Sequence, residues 1–328
     1  MSFRMGGALL NLGQADPNCS KLRDEPILNS ILRQLISEGT LPPGSWVDAG
    51  ARFGEWACTY AQLQPLRLLH AIDPLQENVG KITQHAQALP NLRPLLGLLG
   101  SSQVASLVIP RSSFHMGQLE GVHAANGSMS LERSRRHDAR YTHTLSMFTL
   151  DDLFAGPWHG ERFGLAHLDC EGSELAALRG GMRVIRRDAP VLVTEAYLHS
   201  APQLEVLALL RAEGYQSFAV TENCGLMQDC RNLLHLPRGF ETRGLTLQKA
   251  LEGRYLVDVH APGALAAVAP TCCRPGAKCC PVLHELDQLE GQAMKMARHG
   301  CCTRNTVAAV LNISKKEVAR RIRMAGFG

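Results

Sequence analysis

The sequence predicts an α/β fold built on a parallel sheet with crossover helices. Three observations carry that expectation. Short apolar runs alternate with helix-compatible stretches through residues 46–99, and the alternation resumes at 163–236. A tight loop, Gly50-Ala51-Arg52-Phe53-Gly54, joins the first run to the first such stretch. Hydrophobic residues make up 45% of the chain and aromatics only 5%, so aliphatic side chains and alanine must fill a globular core. Strand, helix, strand in repetition is the pattern of a parallel sheet.

Residues 26–38 place Ile27, Leu28, Ile31, Leu32, Leu35 and Ile36 on one helical face. Gly39 ends that helix and Pro42-Pro43-Gly44 turns the chain. Strands follow at 46–49, 66–72 and 93–99, separated by helices at 55–62 and 76–89. Residues 104–109 read as a strand. Residues 111–140 are polar and without pattern, as expected of an insertion, a loop or lid over a site. Beyond them come a strand at 163–168, a helix at 173–179 capped by Gly180-Gly181, and strands at 191–194, 215–220 and 232–236, with a helix at 203–213.

The formal charge of +4 is uneven. Residues 271–328 hold ten Lys/Arg against four Asp/Glu, which leaves −2 for residues 1–270. Any anionic partner is therefore expected at the tail. Six of the eleven cysteines also lie there, and an odd total does not suit a fully paired disulfide framework. No stretch has the roughly 20 apolar residues of a membrane helix, and residues 1–12 make a poor secretory signal. A cytoplasmic location without membrane contact is the expectation. The divisions are a helical lead-in at 1–45, the α/β domain at 46–260, a Cys/Pro/Gly-rich linker at 261–282 and a basic helical tail at 283–328.

Three segments carry chemistry. In Val47-Asp48-Ala49-Gly50-Ala51-Arg52-Phe53-Gly54 a strand enters a glycine loop and then a helix. Glycine lets backbone approach a ligand, and a helix start offers free N–H groups. That combination fits a dinucleotide, a phosphate or a nucleoside, or is a plain strand-to-helix turn. Gly50 and Gly54 are four apart, which is not G-x-G-x-x-G, and no Gly-Lys-Ser/Thr follows. A nicotinamide enzyme is therefore disfavoured. Asp73 ends the second strand, where a carboxylate can accept from ribose hydroxyls. With Asp48 it favours an adenosine ligand, though Asp73-Pro74 also starts a helix well. Leu168-Asp169-Cys170-Glu171-Gly172-Ser173-Glu174-Leu175 puts two carboxylates at the carboxyl end of a strand. Asp169 or Glu171 can orient or deprotonate a hydroxyl there, or Asp169 serves only as an acceptor for loop N–H groups. His167 lies two residues before Asp169, on the same strand face, and is either an alternative base or structural.

These blocks, with Thr149-Leu150-Asp151-Asp152-Leu153 and Pro190-Val191-Leu192-Val193-Thr194-Glu195, resemble the FkbM family of methyltransferases. The family pattern is roughly V-D-x-G-A-x-x-G, E-P, T-L-D-D-L, K-I-D-V-E-G-x-E-x-x-L-x-G and P-x-x-x-x-E. All five blocks occur in order across about 46–220. The resemblance implies a Rossmann-like class I methyltransferase fold, a seven-stranded, mostly parallel sheet with helices on both faces. It implies S-adenosylmethionine as cofactor and O-methylation of a sugar, glycan or small-metabolite hydroxyl. Asp48, Gly50 and Gly54 would surround the methionine part, with Arg52 in the same loop. Asp73 would hold the ribose, with Pro74 beside it. Asp169 and Glu171 would sit at the reaction centre, with His167 and Glu195 as further candidates for the base. Two departures stand out: Ala166-His167 occupies the area of the usual Lys, and Arg52-Phe53 replaces the commoner Asn-Ile/Val. The first bears more on the acceptor than on the cofactor.

Cys224 and Cys230 suit either a disulfide or two free thiols. Cys272-Cys273 and Cys279-Cys280 offer four thiolates, but adjacent cysteines do not match zinc-ligand spacing, so no metal is expected. Residues 303–324 resemble a helix-turn-helix with Lys315, Lys316, Arg320, Arg321 and Arg323 outward. That segment would contact nucleic acid, or is a basic hairpin packed on the domain or on a protein. The rival to the enzyme is an inactive FkbM-like domain acting as a binding or regulatory protein through this tail.

Overall fold

The computed structural model describes residues 25–110, 142–170, 172–197, 201–222, 230–240 and 246–260. The strands are β1 (Ser45–Ala49), β2 (Leu69–Asp73), β3 (Leu92–Leu96), β4 (Leu98–Leu99), β5 (Val104–Pro110), β6 (Thr142–Phe148), β7 (Phe163–Leu168), β8 (Val191–Tyr197), β9 (Gln216–Val220), β10 (Cys230–Leu236) and β11 (Leu256–Asp258). The helices are α1 (Pro26–Ser37), α2 (Glu55–Leu63), α3 (Gln76–Ala88), α4 (Leu150–Ala155), α5 (Glu174–Arg179), α6 (Met182–Asp188), α7 (Ala201–Ala212) and α8 (Thr246–Glu252).

The main sheet runs β11-β9-β10-β8-β7-β1-β2-β3. Its β3-β2-β1-β7-β8 half is parallel, and β10 is antiparallel to both β8 and β9. The class I methyltransferase arrangement is therefore present, with β11 added as an eighth strand, antiparallel to β9. From β1 the chain steps outward through β2 and β3, then returns to lay β7 on the other side of β1. That reversal opens a crevice between the carboxyl ends of β1 and β7, the usual ligand position in open α/β sheets.

Strand alternation sends side chains to two cores. Trp46, Leu165, Val193 and Phe218 pack with α1 and α2 on one face, while Val47, Ala49, Ala166 and Leu192 pack on the other. Leu28, Ile31, Leu32 and Leu35 bury one stripe of α1, as its sequence spacing requires. The start of α1 is held from far along the chain. The Glu222 carboxylate, just past β9, accepts from the Ile27 and Leu28 N–H groups at 2.7 and 2.6 Å. Burial pushes Glu222 above the usual carboxylate range, against those two donors.

Two expectations shift in detail. The second strand begins at Leu69, because Leu66 is fully exposed and the Arg67 guanidinium turns back to the Pro42 and Gly44 carbonyls. The run 93–99 divides at Gly97, whose N–H donates to the Asp73 carbonyl. There the chain leaves the main sheet for a small one, β4-β6-β5, and a side chain on Gly97 would meet the Phe148 ring at 2.6 Å. The segment at 111–140, the 1–24 part of the lead-in and everything from 261 onward lie outside the described residues. So do the zinc, linker and helix-turn-helix readings. Among the described residues no helix is long and apolar enough to cross a membrane.

The Thr149-Leu150-Asp151-Asp152 block begins two helices. Thr149 Oγ1 accepts from the Asp152 N–H at 3.0 Å and caps α4. Asp151 accepts from the Arg183 and Val184 N–H groups at 3.2 and 2.8 Å, at the start of α6.

Glu222→Ala leaves two helix-start N–H groups without acceptors. The expected loss is about 1–2 kcal/mol in urea denaturation. A midpoint equal to wild type would show that water replaces the carboxylate at no cost.

Candidate active site

The crevice is built by contacts between β1 and β7. Gly50 has φ 82°, and a Cβ placed on it would lie 1.7 Å from the Asp169 carbonyl oxygen. Only glycine permits that approach. The Asp169 N–H donates to the Ala49 carbonyl at 2.9 Å, so the two loops leave the sheet side by side. The glycine loop is also tied to β2, because the Gly50 and Ala51 N–H groups both donate to the Ile72 carbonyl.

Asp73 closes this loop. Its Oδ2 accepts from the Arg52 N–H at 2.8 Å, and its Oδ1 accepts from Leu75 N–H at 2.8 Å and Asn78 Nδ2 at 3.0 Å. Each carboxylate oxygen has two lone pairs, so Oδ2 keeps one for a ligand. Burial raises Asp73 to about 6, against these three bonds. Arg52 has φ 50° and is exposed, its guanidinium carbon 5.3 Å from the Phe53 ring centroid. Lys81 Nζ sits 3.7 Å from the centroid of that ring. Pro74 is half-buried, and α3 starts two residues later, at Gln76.

Asp48 and His167 are direct partners across β1 and β7. His167 Nδ1 lies 2.9 Å from Asp48 Oδ1, and both side chains are buried. The imidazole stacks on Trp56 of α2, centroids 4.9 Å apart and planes 9° off parallel. Burial works against a charge on His167. The bond to Asp48 and the charges of Asp48, Glu25 and Asp169 outweigh it and raise the group to about 9. That direction favours the protonated ring and works against His167 as a proton acceptor, although its Nε2 is buried with no hydrogen-bond partner among the described residues. It stands two residues before Asp169, the spacing of the lysine in the family pattern. The departure from that pattern thus falls on the partner of Asp48.

Asp169 is half-buried at the end of β7. Glu195 lies in the next strand, 7% exposed, opposite Asn232 of β10. Behind it, buried Thr194 Oγ1 and Ser217 Oγ sit 3.0 and 2.7 Å from the two ring nitrogens of His235. Burial drives His235 down to about 3, so this network is neutral and ties β8, β10 and β9 together. Glu171 lies outside the described residues. Cys170 is a free thiol that burial raises well above its ordinary value. Among the described residues no group of three His, Cys, Asp or Glu is placed to hold a metal ion.

Residues 48–217 match the family model described as the methyltransferase FkbM domain. This chain belongs to the FkbM methyltransferase family. No curated protein matches it. Among solved structures, a methyltransferase FkbM from Methylobacillus flagellatus KT is 17% identical, with a TM-score of 0.40, over 58% of this chain and 43% of that one. The chain thus spans under half the length of that protein. A precorrin-6y C5,15-methyltransferase from Geobacter metallireducens GS-15 is 14% identical, TM-score 0.34, over 62% of this chain and 86% of its own. An rRNA methylase from Streptococcus thermophilus is 13% identical, TM-score 0.36, over 65% and 96%.

Two residues of this FkbM domain escape a reading by motif alone. Glu174 is 2% exposed, and its Oε1 accepts from the Cys170 and Gly172 N–H groups at 2.9 and 3.1 Å. It shapes the loop that follows Asp169. Burial raises it to about 7, against the loop N–H bonds. Its place in D-x-E-G-x-E was visible, its inward direction was not. Trp56 carried no signal beyond its nearness to Gly54.

The raised His167 gives a signed pH effect. Its contribution to stability is complete below the ordinary 6.5 and is lost as pH rises through about 9. The melting temperature of wild type should therefore exceed that of His167→Gln near pH 6.5, and the gap should shrink by roughly 5 °C by pH 10. A constant gap in paired thermal melts would show that the imidazole is not charged in the fold. Gly50→Ala should unfold at least about 2 kcal/mol more easily in urea, since backbone must move to admit the methyl group.

Proposed function

We propose that this protein is an S-adenosylmethionine-dependent O-methyltransferase acting on a hydroxyl of a sugar, a glycan or a small metabolite. The observation that carries the reading is the juxtaposition of the glycine loop, Asp73 and Asp169 at the point where strand order reverses. Family membership supports methyl transfer as the reaction class.

The residues fit the cofactor. Gly50 lets the glycine loop and the loop after β7 leave the sheet in contact, where a side chain would strike the Asp169 carbonyl. Asp48 Oδ2 is a buried oxygen with no hydrogen-bond partner among the described residues. Asp48, Asp169 and Glu25 set three carboxylates around the His167 ring, a field that favours a ligand bearing ammonium and sulfonium charges. Asp73 Oδ2 retains an acceptor site for a ribose hydroxyl. When bound, S-adenosylmethionine supplies a methyl group already activated by its sulfonium.

The chain then needs to hold the acceptor oxygen in line with that methyl group. Asp169 is assigned to orient the acceptor hydroxyl and take its proton, with Glu195 in the neighbouring strand as the alternative. Glu171, two residues after Asp169 in the sequence, shares this assignment. A strong base is unnecessary, because the leaving group is a neutral thioether.

Titration calorimetry with S-adenosylhomocysteine is expected to show micromolar binding, weakened about tenfold or more in Asp73→Ala. A folded sample with no heat at millimolar nucleoside would end the reading. With a hydroxylated acceptor in hand, Asp169→Asn should lower kcat about a hundredfold or more while nucleoside affinity stays within about twofold.

A further inference from the structure

The Asp48–His167 pair is more elaborate than a strand-to-strand contact requires. Asp48 has one carboxylate oxygen on His167 Nδ1, and its other oxygen, though buried, has no hydrogen-bond partner among the described residues. The imidazole is held from two directions. Asp48 grips one edge, and Trp56, on the helix that leaves the glycine loop, covers its face. Rotation of the ring would break the stack, and rotation of the carboxylate would break the ion pair. The Asp48 carboxylate therefore has one orientation, set by His167, with Oδ2 left over. Asp48 lies two residues before Gly50, whose lack of a side chain lets the Asp169 carbonyl approach.

A buried carboxylate oxygen without a donor costs on the order of 1–3 kcal/mol, so such an atom calls for a partner. The reading above supplies one. S-adenosylmethionine carries an α-ammonium group at its amino-acid end, with three N–H donors. We propose that His167 is a positioning residue for the cofactor: by fixing the Asp48 carboxylate it presents Oδ2 to that ammonium, so its effect is confined to the amino-acid end of the ligand. This inference rests on the methyltransferase reading. It gives His167 a role that needs no proton transfer to the acceptor. The charged groups around the ring are Asp48 from β1, Asp169 from its own strand and Glu25 at the start of α1, all carboxylates. His167 is then the group that meets Asp48 from among these carboxylates, a place a lysine could share with its charge and an amide could not.

Two nucleosides separate this role from a structural one. S-adenosylhomocysteine has the amino-acid end, and 5′-methylthioadenosine lacks it while keeping adenine, ribose and sulfur. Both are titrated calorimetrically into full-length wild type, His167→Ala and His167→Lys at neutral pH, with thermal melts to confirm folding. Wild type should bind both. His167→Ala should bind methylthioadenosine as wild type does and S-adenosylhomocysteine about 10- to 100-fold more weakly. His167→Lys should recover most of that loss. Equal weakening of both ligands, or of neither, overturns the proposal, as does an Ala variant that matches wild type for S-adenosylhomocysteine. Should the Ala variant fail to fold, His167→Lys and His167→Gln carry the comparison: Lys must keep the preference for S-adenosylhomocysteine and Gln must lose it. Wild type binding neither nucleoside would remove the methyltransferase reading itself, and the inference with it.

Discussion

The carbonyl of Asp169 sits so close to Gly50 that any side chain there would occupy the same space. That approach depends on parallel pairing of β1 with β7, whose register sets Asp48 beside His167 and Ala49 beside Leu168. Without it the glycine loop and the acidic loop would diverge as they leave the sheet. With it, the two loops leave the sheet in contact, Asp169 N–H bonded to the Ala49 carbonyl. The crevice is thus a consequence of strand order as much as of the residues that line it.

Charge is arranged with the same economy. Most ionisable groups near the crevice are carboxylates, and burial would neutralise them in the absence of donors. Asp73 accepts three bonds from its own loop and helix, and Glu174 accepts two from the loop above it. Asp48 has a cation instead. Asp73 and Glu174 therefore act first as builders: they fix the backbone around Arg52 and Gly172. Under the role proposed above, Asp48 would use one oxygen for its partner and the other for a ligand. Stability and recognition then draw on the same few atoms, and substitutions here should alter both together.

The glycine loop, β7 and the helices beside them were legible because each is a local pattern. An apolar run of strand length, then glycine, then a helix start needs no information from elsewhere, and 163–168 and 76–89 follow their strand and helix within a residue. β6, α6, α8 and β11 were not drawn from the pattern. Each is short, at an edge, or made of residues whose apolar positions look like loop until a partner covers them. Among the described side chains of β6 only Leu145 and Met147 are buried, and the strand exists because β5 pairs with it. The Thr149 block was read as a family mark, while its atoms act as helix caps.

Sequence by itself determined the fold class, the family and the identity of the residues at the strand ends, because periodicity and motif spacing are properties of neighbours along the chain. Tertiary structure decided what those residues do to one another. His167 and Asp48 are 119 positions apart, as are Gly50 and the Asp169 carbonyl it touches, and Glu222 reaches 195 positions back to α1. The charge on an imidazole, the orientation of a carboxylate and the need for a bare glycine all depend on distances of a few ångströms. Such distances come into being only when strands distant in sequence are laid side by side.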